Sequence, residues 1–221
     1  VINQQTTTSN GVTLSNNIGT ATNTGITLNN LNVTTAGGGI GLFATTNDII
    51  TMTGTNPVTS TGAAAVSISN ATGNHKLLFS DISSTSSPTN GVLLSNFTVG
   101  DNTFDVTGGI TIDQATAPSL VMQNLDNFTA TIPLTTITGG LGGGIQLTNV
   151  NDDIPTTVAG ANSVTFGTAN ITTTGGTGLL VSNAKTPYTS NGNIVFGGGV
   201  ITAQAGTAIN AVSYTHLRAH E

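Results

Sequence analysis

The chain has 221 residues, only 5% of them charged, with a formal net charge of −6, whereas an ordinary soluble domain is about 25% charged. That excludes helical bundles and ordinary α/β enzymes, whose helix surfaces need Glu, Lys and Arg. It also excludes nucleic-acid and anionic-lipid binding through a basic patch, while a hydrophobic content of 36% rich in Val and Ile excludes simple disorder.

Along the chain one short pattern recurs: Gly, alternating apolar residues, then Ser or Thr and Asn. It reads Gly11-Val-Thr-Leu-Ser-Asn16 and Gly25-Ile-Thr-Leu-Asn-Asn30, followed by a looser Val66-Ser-Ile-Ser-Asn70. Further copies are Gly91-Val-Leu-Leu-Ser-Asn96, Leu120-Val-Met-Gln-Asn124, Gly144-Ile-Gln-Leu-Thr-Asn149, Gly178-Leu-Leu-Val-Ser-Asn183 and Ala208-Ile-Asn210. From Asn70 the Asn marks fall at 70, 96, 124, 149, 183 and 210. Between them a second strand is predicted, usually around a Phe: Leu77 to Phe79, Thr103 to Val106, Phe128 to Ile132, Val164 to Phe166 and Ile194 to Phe196. A third short strand follows in places, as at Asn170 to Thr173 and Val200 to Thr202. Thr, at 44 residues, suits such strands because it is β-branched.

One such unit cannot bury its apolar side alone, but stacked units can, each strand pairing with its equivalent one coil away at about 4.8 Å. The predicted fold is therefore all-β: a right-handed, single-stranded parallel β-helix of pectin-lyase-like architecture. Roughly eight coils are expected over residues 1–211, a rod of roughly 40 Å at the strand spacing. Asn at a fixed turn position is expected to form a ladder of amides bonded coil to coil. Gly at the corners would supply positive φ or close approach.

The Gly-apolar-x-apolar-Ser/Thr-Asn repeat with intervening Phe strands resembles the long β-strand-repeat surface proteins of Gram-negative bacteria, the β-helical passengers of autotransporters and adhesins. The resemblance covers most of residues 1–211. It implies a non-catalytic structural or adhesive stalk segment, extracellular or on the outer cell surface, with cell-surface or matrix glycans or proteins as partners. It implies no membrane insertion by this segment. The alternative is a fragment of a β-helical polysaccharide lyase or glycoside hydrolase whose active coils lie elsewhere. Pectate-lyase-like sites use an Arg or Lys base with acidic Ca²⁺ ligands, and polygalacturonase-like sites add His-Gly and Arg-x-Lys elements. Asp152-Asp153 is the sole echo of these.

Much of the charge falls between the Asn marks and the Phe strands: Lys76, Asp101, Asp126, Asp152, Asp153 and Lys185. Coil stacking is expected to bring Asp101, Asp126, Asp152 and Asp153 to one edge. Grouped carboxylates there would suit Ca²⁺, which takes six to eight oxygens; no other cofactor is expected. The extra length at 150–161 and 184–192 marks loops where binding would be sought. His75 reads as an exposed turn residue rather than a general base. The Gly-rich runs at 37–41 and 139–144 lack the Lys and helix of a phosphate cradle.

Residues 212–221, Val-Ser-Tyr-Thr-His-Leu-Arg-Ala-His-Glu, hold the only Arg and the only Glu. All ten codons of this run fit an in-frame transposase-type sequencing adapter. The tail is accordingly expected to be non-native, and the chain to be a piece of a longer protein assembled from environmental DNA.

Overall fold

The computed structural model describes residues 2–4, 8–17, 25–47, 49–97, 100–151, 163–182, 193–212 and 217–219. Its elements are all strands, and every pairing is parallel, between segments one repeat apart. They form an eight-stranded sheet and a twelve-stranded sheet. The architecture is a right-handed parallel β-helix.

The smaller sheet is built from the predicted motif. Its strands are Val12–Asn17, Leu42–Asn47, Val66–Ala71, Val92–Phe97, Leu120–Leu125, Gly143–Val150, Thr177–Ser182 and Ile209–Val212. Strict alternation turns the apolar residues inward as columns. Leu42, Val66, Val92, Leu120, Ile145 and Leu179 align in register and are all buried.

The larger sheet carries the other two sides of each coil. In the middle coils the second and third predicted strands are one continuous strand: Lys76–Thr85, Asn102–Asp113, Phe128–Gly140 and Ser163–Thr173. Register shifts between Asp105 and Ile110, and between Val106 and Gly109, mark where this strand turns from one side to the next. Toward the ends the two sides are separate strands, such as Ile50–Thr53 with Val58–Thr61, and Asn193–Phe196 with Gly199–Ala203.

Two details differ from the sequence reading. The Gly25 copy does not join the smaller sheet: Ile26–Asn29 pairs with Ile50–Thr53 in the larger one. Its place is taken by Gly41-Leu-Phe-Ala-Thr-Thr46, where Thr46 stands at the Asn position. Both copies end in the left-handed region, Asn30 at φ 52° and Thr46 at φ 52°. The motif therefore encodes a strand ended by a left-handed residue, and such a corner occurs on both sheets.

The motif glycine has a steric cause. A Cβ at Gly91 would lie 2.6 Å from Ile112 Cγ2, and one at Gly41 would lie 2.5 Å from Val58 Cγ1. These glycines let the small sheet's entry corner approach the β-branched residues of the opposite side; close approach, not positive φ, is the requirement.

Between the sheets the aromatic rings interleave. Phe104 aligns with Leu77 on one side and Ala130 on the other, and Phe79 aligns with Val106. Phe166 stacks face to face on its register partner Phe196, with centroids 4.8 Å apart. The interior also holds hydroxyls. Thr35 and Ser60 both donate to the Gly39 carbonyl at 2.8 and 2.9 Å, and Ser84 donates to the Ala63 carbonyl at 2.9 Å.

Candidate functional site

The Asn ladder is the best-defined polar feature of the fold. Asn96 Nδ2 donates to Asn70 Oδ1 at 2.9 Å, Asn124 Nδ2 to Asn96 Oδ1 at 2.8 Å, and Asn149 Nδ2 to Asn124 Oδ1 at 2.8 Å. All four residues are left-handed, with φ between 51° and 58°. Asn tolerates that region better than other non-glycine residues. The ladder runs along the outside of the rod, with Asn70 and Asn124 exposed and Asn96 and Asn149 half-buried.

This arrangement separates two contributions. Asn124→Gly loses the amide bonds and keeps an easy left-handed backbone; Asn124→Ala loses both. Alanine is expected to lower stability by about 1–2 kcal/mol and glycine by less, measured as urea unfolding midpoints of the two variants. Equal losses would show that the backbone contributes nothing.

A second, inner set of amides lies at the corners, Asn102 and Asn151 where the smaller sheet ends and the larger begins and Asn56 between the larger sheet's two sides, and sequence reasoning missed it. Asn56 Oδ1 accepts from the Leu31 N–H at 2.7 Å, Asn102 Oδ1 from the His75 N–H at 3.0 Å, and Asn151 Oδ1 from the Phe128 N–H at 2.8 Å. All three asparagines are buried. Each side chain thus serves a backbone donor in the preceding coil at a corner. The available signal was an Asn just ahead of a predicted strand, diluted by the abundance of Asn elsewhere.

His75 belongs to this inner corner, which overturns its reading as an exposed turn residue: it is 0% exposed. Its Nδ1 faces the Ile50 N–H at 3.1 Å, so Nδ1 is the acceptor. Nε2 then carries the proton and donates to the Thr72 carbonyl at 3.1 Å. The ring also packs against Phe97, with centroids 5.5 Å apart. With both nitrogens committed to backbone and no solvent access, His75 is a structural residue, not a base.

Of the four carboxylates expected at one edge, two lie among the described residues. Asp101 and Asp126 do occupy the same corner in successive coils. The Asp101 N–H donates to Asn74 Oδ1 at 2.8 Å, and the Asp126 N–H donates to the Phe97 carbonyl at 2.8 Å. Asp101 is exposed and Asp126 half-buried. Asp152 and Asp153 lie outside the described residues, as do Lys185, Tyr188, His216 and His220. Among the described residues no three His, Cys, Asp or Glu side chains come together. Asp81, Asp105 and Asp113 stand elsewhere, on the long strands of the larger sheet.

One open cavity of about 340 Å³ lies at the next corner, lined by Ser86, Gln114, Thr116, Gly139, Leu141 and Thr174. It is a groove crossing several coils. Ser86, Gln114 and Gly139 take left-handed backbone at φ 55°, 56° and 62°, which swings the chain outward there. Its lining is uncharged.

These features define a parallel β-helix whose polar groups mostly hold one coil to the next. No protein-family model matches the chain, and neither a curated protein nor a solved structure matches it.

Proposed function

We propose that the chain is a stalk segment of a secreted or surface-anchored bacterial β-helical protein, with a spacing and adhesive role and no catalysis of its own. The observation that supports this most is the continuity of the stack. The smaller sheet runs in register through eight parallel strands, and its outer corner is bonded coil to coil by the Asn ladder. In such a solenoid each coil contacts only its neighbours, and length is added without changing the cross-section. Along the described strands backbone hydrogen bonds run from coil to coil, and paired backbone of this kind resists the local opening that a protease needs.

In this reading the partners are glycans or proteins of a cell surface or matrix, and the place of action is outside the cell. Ca²⁺ at the Asp101 and Asp126 corner would add to coil cohesion.

The test is a binding screen of the purified chain on immobilised matrix proteins and neutral and acidic glycans, run beside an assay for chain cleavage of the same polysaccharides. Retention on one of these surfaces without new reducing ends or unsaturated sugars is the expected result. Release of cleavage products would replace the stalk with an enzyme. Melting with and without chelator tests the calcium corner, where a fall in melting temperature on chelation is expected.

A further inference from the structure

The outward face of the smaller sheet differs in chemistry from the rest of the rod. None of its eight strands contains a charged residue, whereas strands of the larger sheet carry Lys76, Asp81, Asp105 and Asp113. One outward column runs the whole length of the smaller sheet in register: Thr13, Phe43, Ser67, Leu93, Val121, Gln146, Leu180 and Asn210. Half of these side chains are apolar. Phe43, Leu93 and Leu180 are half-buried, and Val121 is 4% exposed. Single apolar residues on a surface are ordinary. Four in one aligned column, on a sheet without charge, are not matched on the larger sheet among the described residues. There the column Leu78, Asp105, Thr131, Thr165 and Val195 holds two and includes a carboxylate.

The order within the column is symmetric. Read from either end it runs polar, apolar, polar, apolar, with its centre between Leu93 and Val121. Consider a two-fold axis through that centre, lying in the face and running across the rod. It places Leu93 of one copy on Val121 of another, Ser67 on Gln146, Phe43 on Leu180 and Thr13 on Asn210. Apolar then meets apolar and polar meets polar along the whole column. The neighbouring outward column is hydroxyl or amide from Thr45 through Ser69, Ser95, Gln123 and Thr148 to Ser182, so the same axis opposes hydrogen-bonding groups there. A two-fold axis along the rod would set like residues opposite each other whatever their order. The symmetry of the order therefore selects the antiparallel arrangement. Its centre is fixed by this pattern, and coils added at either end of the stack would not move it.

From this symmetry we infer that the smaller sheet is the contact face of a homodimer, two copies packed face to face with their rods antiparallel. Such a contact is isologous, so it closes at two copies. The charge distribution favours the same face. Each copy carries a formal net charge of −6, and an uncharged sheet is where two such chains approach at least electrostatic cost. The size is adequate. Eight strands at about 4.8 Å, each about five residues at about 3.3 Å, give a face of about 600 Å². Pairing two such faces buries about 1,200 Å², the lower end of the range for specific interfaces. Leu93, beside the axis, and Phe43, the largest side chain of the column, contribute most of the apolar contact.

The inference rests on this face and not on the stalk reading. Sedimentation equilibrium of the purified chain tests it, and a mass that rises with concentration to twice that of one chain is expected. Leu93→Lys sets two like charges beside the axis and should weaken the dimer more than about tenfold. Thr103→Lys, on the larger sheet and in register with Lys76, should leave it unchanged. Leu93→Thr removes the apolar contact with a side chain that favours strands, so a weakened dimer is expected there even if the lysine disturbs the fold. The chain has no cysteine, so single-cysteine variants and a short bis-maleimide report the orientation: Phe43→Cys mixed with Leu180→Cys should link one to the other. A monomer at every concentration, a dimer indifferent to both Leu93 variants, or Phe43→Cys linking to itself in preference would overturn the inference while leaving the stalk intact.

Discussion

Phe97→Ala is expected to lower stability by about 3–5 kcal/mol, the range for deleting a large buried aromatic side chain. Phe97 is fully buried. Its ring lies 5.5 Å from the His75 ring and 6.0 Å from Phe128, in edge contact at 77° with the latter. In register it sits between Ala71 and Leu125. The neighbours cannot collapse into the space left behind, because each backbone is tied by hydrogen bonds to the coils on both sides. The residual cavity is thus retained, and the loss should fall at the upper end of the range. The measurement is urea unfolding. A shift in midpoint at unchanged slope indicates lost stability with the same surface exposed. Hydrogen exchange would add a local readout, since coil-by-coil contacts predict that protection is lost first around the altered coil.

His75→Leu is expected to be the next most damaging change. It leaves the Ile50 N–H inside the corner without the imidazole nitrogen that now accepts from it, while the carbonyl of the exposed Thr72 can turn to water. A stranded buried donor costs about 1–3 kcal/mol, and that is the expected loss. His75→Asn should be tolerated far better. Asn102, the residue paired with this position one coil on, already uses its Oδ1 to accept from a backbone N–H of the preceding coil. The two side chains share the same branched four-atom skeleton, and Leu fills more of the space, so a higher melting temperature for His75→Asn would have to come from the hydrogen bonds. Equal destabilisation would mean that packing against Phe97 is the whole contribution of the ring.

Much of this architecture is written in local sequence. Alternation with period two, Gly at the strand start and Asn at its end are visible without coordinates, and so is their recurrence near 26 residues. The outer ladder at Asn70, Asn96, Asn124 and Asn149 followed from that spacing alone. The carboxylate edge was legible only in outline: Asp101 and Asp126 share a corner, but Asp81, Asp105 and Asp113 lie on strands whose outward positions admit a charge equally well. His75 misled because a polar residue among Asn, Gly and Lys looks like a surface turn. Its burial depends on the Ile50 N–H, 25 residues earlier in the chain.

By itself the sequence determined that the protein is all-β and stacked in parallel coils. Low charge and alternating β-branched residues leave no other way to bury the apolar positions. Only the tertiary structure decided which segment enters which sheet. Gly25 to Asn30 and Gly41 to Thr46 carry the same local signature and reach the same left-handed φ, yet they pair into different sheets. It also decided that the motif glycine answers to a side chain on the opposite side of the coil, and that an inner amide set supports the corners. Each of these is a relation between residues a full coil or a full cross-section apart. Register is set by the sum of all pairings in the stack, which no single repeat contains.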